Sequence, residues 1–367
     1  MRPSHLVGIE RIYSFPGPRL EEVVYEKTNA VVAVAAMVDA IGWGSMHRLL
    51  FAAVGALLVL AIPAYAQNGN YPDSAEITAR GLTPEDFPRW TEIEPNIYAY
   101  EDLHSPDGEG NIINTVSLIV VTSEGVVVVD GQETVEQSAA LVDMVKSVTS
   151  QPTKYVVVAS DHRDHVGGNE AFKEAFPDVV FISSFYSQRV MAGRPYPPTE
   201  TVANKRTISM GGTEIQILNI GRGHTGGDLV AYLPQSKVLF MGELYLRDVF
   251  PAMRTGNPSE WINTIENAQS MDVSWYIPGH GFIDDQATMR SDLEEFRKAL
   301  VHVVNEAKEL YSAGAPCEMA KPEAGSDASC EAAQQADWGE YDDWAMRGSL
   351  EPFVIVRVYR ELEGRLD

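Results

Sequence analysis

Three potential metal donors fall within four residues at a point where the chain must turn sharply. An apolar strand, Lys154 to Ala159, runs into Ser160-Asp161-His162-Arg163-Asp164-His165-Val166-Gly167-Gly168. A tight turn there points an imidazole, a carboxylate and a second imidazole into one cavity, and the paired glycines let the backbone close up. Neutral histidine beside carboxylate suits zinc and related first-row ions.

Two more histidines share this setting. His224 lies in Gly221-Arg222-Gly223-His224-Thr225-Gly226-Gly227-Asp228 and His280 in Pro278-Gly279-His280-Gly281, both at strand exits between glycines. Four of the chain's eight histidines are thus clustered or flanked by glycine, while His5, His47, His104 and His302 sit outside any comparable motif.

The surrounding pattern alternates sheet and helix. From Thr91 to Asp130 short apolar runs are broken by turns and end in Val126-Val127-Val128-Val129-Asp130-Gly131, a buried strand stopped by an acid. Apolar residues at helical spacing follow over 133–147, and a helix over 169–176 and a strand over 179–183 repeat the unit. The proline-rich stretch 191–198 reads as a surface loop. Strands over 213–220, 228–233 and 237–241 make a second sheet, followed by a helix over 259–270, a strand over 275–277 and a long helix over 285–311. The chain is expected to be α/β in two halves.

Order and spacing of these motifs resemble the metallo-β-lactamase superfamily, over roughly Asn96 to Asp284. The family's His-x-His-x-Asp-His signature is met by Ser160, His162, Asp164 and His165; its Gly-His-Thr-x-Gly-Asp segment by His224; its strand-ending Gly-Asp by Gly242-Glu243; and its last Gly-His by His280. The resemblance implies a four-layer αββα sandwich of two mixed sheets with outer helices. It further implies one or two zinc ions held by His162, Asp164, His165, His224, Glu243 and His280, with Asp164 also the catalytic acid that would hydrogen-bond an attacking hydroxide. Two departures stand out: Ser160 replaces an imidazole, and Glu243 is one methylene longer than aspartate. The site of Asp164, His165 and His280 is complete and is expected to bind more tightly than that of His162 and His224.

Around these ligands, Asp130 and Asp228 are candidates to orient imidazole N–H groups, or simply to cap turns. Arg163 and Tyr196 are candidates to meet substrate. A bound divalent ion brings the pKa of water to near 7 and polarises a carbonyl, so the expectation is hydrolysis of an ester, thioester, lactone or amide through metal-bound hydroxide. β-Lactam hydrolysis ranks lower, because those enzymes usually carry Cys or Ser where Glu243 stands. A non-catalytic periplasmic binding protein, motivated by Ser160, and a persulfide-dioxygenase-like enzyme are the other readings.

Targeting and charge complete the reading. Met46-His47-Arg48, a 14-residue apolar run and Ala64-Tyr65-Ala66 form a secretory signal over 46–66. The run is shorter than the roughly 20 residues that span a bilayer. Residues 1–45 read as an extension from an upstream start, 67–312 as the catalytic domain, and 313–367 as a flexible segment plus a terminal appendage. A periplasmic or secreted protein follows, with membrane contact only through the export signal. The net charge of −24 disfavours nucleic acid and leaves a small molecule as the expected partner. Cys317 and Cys330, the only cysteines, are able to close a short loop in an oxidising compartment.

Overall fold

Four consecutive valines decide the layering. On strand β4 (Gly125–Val129), Val127 and Val129 join one apolar cluster while Val126 and Val128 join another, because successive side chains of a strand point to opposite faces. Both faces are buried, so this strand has a layer on each side. The computed structural model describes residues 74–104, 112–318 and 329–366. The expected extension and signal segment lie outside them.

The first sheet has seven strands: β1 (Arg89–Glu94), β2 (Ile97–His104), β3 (Ile113–Thr122), β4, β5 (Thr153–Val157), β6 (Val180–Ser184) and β7 (Glu200–Val202), in that spatial order. Strands β1 to β4 pair antiparallel and β4 to β7 parallel, so the sheet is mixed. Parallel neighbours need crossovers, and these are the helices α2 (Val135–Val148), α3 (Arg163–Val166), α4 (Asn169–Ala175) and α5 (Phe185–Val190); a short α1 (Ser74–Ala79) precedes the sheet. Leu141, Val142 and Val145 of α2 and Phe172 of α4 pack on the outward face of β3 and β4.

The second sheet orders β12 (Trp275–Ile277), β11 (Val238–Phe240), β10 (Val230–Leu233), β9 (Thr213–Leu218) and β8 (Lys205–Met210), with only β11 and β12 parallel. Its outer layer is α6 (Pro258–Gln269) and α7 (Gln286–Ser312). Buried residues of α7 recur as Met289, Leu293, Phe296, Leu300, Val303, Ala307 and Leu310, a single stripe at helical spacing. The main cluster fills the space between the sheets and continues under these helices. The αββα sandwich expected from the motifs is therefore the fold.

The end of the chain corrects the expectation of an appendage. Helix α8 (Arg347–Leu362) buries Leu350, Val354, Ile355 and Val358 in the main core, and Trp338 and Tyr341 join them. Backbone bonds tie Phe250 N to Ala345 O and Ala345 N to Asp248 O. Its Ala/Gly-rich composition hid this, because the aromatic anchors are few and widely spaced. Cys317 and Cys330 form a disulfide across the pair β13 (Cys317–Glu318) and β14 (Ser329–Cys330). Among the described residues no helix is long and apolar enough to cross a membrane.

A cross-link spanning 13 positions restricts the unfolded chain most and the folded chain little. Replacing both cysteines by alanine is expected to cost about 3 kcal/mol, read as a lower denaturant midpoint at an unchanged slope. Reductant should shift the native protein likewise and leave the double variant unmoved.

Candidate metal centre

Every site residue stands where a strand ends at the same edge of the sandwich. β5 delivers Ser160 to His165; the β9–β10 connection delivers His224; the turn after β11 delivers Glu243; and the exit of β12 delivers His280. The first turn is as tight as its sequence suggested. A Cβ on Gly167 would lie 2.0 Å from the Glu133 carbonyl oxygen, and one on Gly168 would lie 2.1 Å from Ser138 Oγ, so only glycine lets α2 approach this close.

Two groups of donors converge. Asp164, His165, Glu243 and His280 form one, and His162, His224 and Glu243 the other, with Glu243 common to both. In the first group His165 Nε2 and His280 Nε2 are 3.2 Å apart, His280 Nε2 is 3.2 Å from Asp164 Oδ2, and His165 Nε2 is 3.6 Å from it. Tetrahedral zinc with bonds of about 2.0–2.2 Å requires donor separations of about 3.3 Å. In the second group His162 Nδ1 and His224 Nε2 are 2.9 Å apart, and each lies 3.0 Å from a Glu243 oxygen.

The hydrogen bonds behind the rings make the case for a cation stronger. His280 Nδ1 is 2.8 Å from the Asn114 carbonyl oxygen, which only accepts, so this nitrogen carries the proton. His165 Nδ1 faces Asp130 Oδ2 at 3.0 Å and is protonated for the same reason. Were both rings neutral, their two Nε2 lone pairs would point at each other across 3.2 Å. Only a cation or a shared proton relieves that contact, and the donor set fits zinc.

The electrostatics agree. Burial alone would raise the Asp164 carboxyl, but His165, His104 and His280 outweigh it and hold Asp164 well below the usual carboxylate range. Glu243 is likewise penalised by burial yet held low by His162, His224 and His165. Burial opposes a charged His280, whereas its bonds to Asp164 and Glu243 lift it to about 10. Both acids are therefore charged and ready to ligate.

The orienting residues divide. Asp130, with φ +58° at the exit of β4, accepts from Ala159 N at 2.7 Å and steers the His165 ring. Asp228 instead accepts from Gly223 N, Thr225 N and Thr225 Oγ1, at 3.1, 2.9 and 2.7 Å. It fixes the backbone carrying His224 rather than the imidazole, which is the turn-capping alternative.

Ser160 and Glu243 explain each other. Ser160 Oγ donates to Glu243 Oε2, while Glu243 Oε1 faces His224 at 3.0 Å, His162 at 3.2 Å, His280 at 3.4 Å and His165 at 3.9 Å. The longer acid reaches towards the place an imidazole at 160 would claim, and the hydroxyl holds its outer oxygen. Both donor groups gain from one carboxylate.

A cavity of about 300 Å³ opens onto the donors, bordered by His162, Arg163, Asp164, His224, Glu243 and His280, with Leu246, Val249, Arg254, Met346 and Leu350 opposite. Arg163 is at its rim, paired with Glu133 at 3.0 Å. Tyr196 does not border this cavity, a correction: Arg194 from its loop donates to the Asp161 carbonyl at 2.8 Å, and Arg194 and Pro195 line a neighbouring cavity with Arg163 instead. Three contributors that escaped the sequence stand out. Met346 and Leu350 come from the C-terminal segment, and His104 on β2 lies 3.3 Å from Asp164. His104 ends an ordinary strand pattern with no flanking glycine, so no local signal marked it.

Residues 111–280 match the model of the metallo-beta-lactamase superfamily. The chain is 25% identical over 213 residues to a metallo-beta-lactamase type 2 of Bacillus sp. (strain 170), covering 56% of this chain and 80% of that one. A metallo-beta-lactamase type 2 of Elizabethkingia meningoseptica is 25% identical over 220 residues, covering 55% and 82%. A linear primary-alkylsulfatase of Pseudomonas sp. (strain ATCC 19151) is 20% identical over 215 residues, covering 44% and 40%. The solved structure of a metallo-beta-lactamase from Pontibacter korlensis superposes with a TM-score of 0.52 at 27% identity, covering 58% of this chain and 98% of that one. Fold, motif order and relatives agree: the chain belongs to the metallo-beta-lactamase superfamily, whose members are mostly hydrolases.

Ser160→His alone should push an imidazole into the space of the Glu243 carboxylate and lower bound zinc per chain after dialysis. Adding Glu243→Asp to it should restore zinc. Losses that simply add in the double variant would show the two positions to be independent.

Proposed function

We propose that this chain is an exported zinc hydrolase of esters, thioesters, lactones or amides. One observation carries the reading: two donor groups share Glu243 at the floor of an open cavity, and two of their imidazoles bring their Nε2 atoms to the same point. Zinc bound there supplies an acidified water and a Lewis acid for a carbonyl oxygen. The protein supplies everything else.

Asp164 stands at the cavity floor with its carboxylate ionised, placed to hydrogen-bond an attacking hydroxide. Glu243 holds the two donor groups in register. Arg163 at the rim and Arg254 opposite offer positive charge to an anionic substrate, and Leu246, Val249, Met346 and Leu350 offer apolar surface to its body. Two groups with ionised acids at their centre are more than a ligand-binding relic of the fold needs, which supports catalysis over passive binding.

Export rests on separate ground. Disulfides persist in oxidising compartments, and the Cys317–Cys330 bond agrees with the signal read over residues 46–66. The mature chain recovered from the periplasm or medium should begin at Gln67 by N-terminal sequencing; an intact N-terminus in the cytoplasmic fraction would refute export.

β-Lactam turnover is the second reading, favoured by the named relatives and opposed by Glu243. A panel of p-nitrophenyl esters, thioesters, lactones and a chromogenic cephalosporin separates the two. Chelation should abolish turnover of the preferred substrate and zinc should restore it, and Asp164→Asn should lower kcat by about 10²- to 10⁴-fold. Turnover indifferent to chelator would end the metal-hydrolase reading.

A further inference from the structure

We propose that His104 is a positioning residue, which holds the Asp164 carboxylate in its metal-binding orientation through a chain running Thr115, His104, Asp164. The inference rests on the metal-hydrolase reading and deepens it. Nothing in the motifs assigns a role to His104.

His104 closes strand β2 and is 5% exposed. Its Nδ1 lies 2.9 Å from the hydroxyl of Thr115, a fully buried residue on β3. Its Nε2 is buried, makes no hydrogen bond to the described residues as placed, and has Asp164 Oδ2 as its polar neighbour at 3.3 Å. For a neutral ring one assignment of protons suits all three groups. The Thr115 hydroxyl donates to Nδ1, which leaves the proton on Nε2, the nitrogen that faces the carboxylate. The reverse tautomer would set a lone pair against an anionic oxygen.

Position rules out the simpler role of a further ligand. The donors of Asp164, His165, Glu243 and His280 all lie within 4.8 Å of one another, and His104 is not in that set. Its ring sits behind the carboxylate, 5.6 Å from the His280 ring and tilted 37° to it. A carboxylate oxygen has two lone pairs, so Asp164 Oδ2 can give one to the ion and one to His104.

Asp164 needs such a hold. It lies on α3, a helix of four residues, and among the described residues no backbone N–H donates to its carboxylate. His165 and His280 each have a partner behind the ring, Asp130 and the Asn114 carbonyl. His104 gives the third ligand of this group the same support. Loss of such a partner typically weakens metal binding 10- to 100-fold.

The test measures zinc affinity by competition with a chromogenic chelator, in the wild type and in a His224→Ala background where the Asp164 group alone remains intact. His104→Ala should weaken zinc there about 10- to 100-fold, with the unfolding midpoint of the apoprotein recorded alongside. His104→Gln, whose amide nitrogen reaches the place of Nε2, should recover most of the affinity; His104→Asn, whose amide stops near Nδ1, should not. Thr115→Val keeps the ring and removes its hydroxyl partner, and should give a smaller loss in the same direction. Wild-type affinity in His104→Ala, or equal affinities for the Gln and Asn variants, would overturn the inference and leave the hydrolase reading standing. A wild-type protein that takes up no zinc would overturn both.

Discussion

The convergence of imidazole nitrogens on ionised carboxylates is the constraint that orders this structure. Taking Asp164, Glu243, His165, His224 and His280 out of water is expensive unless their charges and lone pairs are answered by one another and by an ion. No single segment of chain could bring them together. Four turns from two sheets do, and the fold is the device that brings those turns to one edge. The cost is met by an outer ring of fixed partners: Asp130 behind His165, Asn114 behind His280, Asp228 under the His224 turn, Ser160 behind Glu243 and Thr115 with His104 behind Asp164.

The two sheets are locked to each other at this edge as well as through their apolar faces. Asn114 on β3 accepts from Gly281 N through its side-chain oxygen at 2.6 Å and donates its amide to Gly281 O at 2.9 Å, while Val116 N donates to Gly279 O at 2.9 Å. A Cβ on Gly279 would meet the Gly242 carbonyl carbon at 2.6 Å, so the turns bearing Glu243 and His280 are stacked backbone on backbone. Rigid turns of this kind hold ligands at fixed separation, which is what distinguishes a metal site from a chance meeting of acids and histidines.

How much was legible follows from how local each signal is. His162, His165, His224 and His280 were readable because a strand that ends in a histidine between glycines has few other uses. Glu243 was readable only through the resemblance, since Met241-Gly242-Glu243-Leu244 looks like any turn. His104 was invisible: its meaning arises from the pairing of β2 with β3 and from α3 lying across their ends, and neither is written near residue 104. Tyr196 misled for the converse reason, because a proline-rich loop close in sequence to the ligands need not fold over them. The role of α8 was hidden in the same way. Which surface it covers is a tertiary fact.

The placement of α8 brings residues from outside the family-matched region to the donors. The family match ends at residue 280, and with it end the metal donors. Met346 and Leu350 lie beyond that boundary and yet form part of the cavity wall, with Phe353 of the same helix packed 4.3 Å under the Arg254 guanidinium. The donors at the cavity floor therefore lie inside the matched region, while part of the cavity wall lies outside it. The Arg254 guanidinium over the Phe353 ring is one point where the two regions meet. A site built in this way on a shared fold can keep its donors while its wall varies.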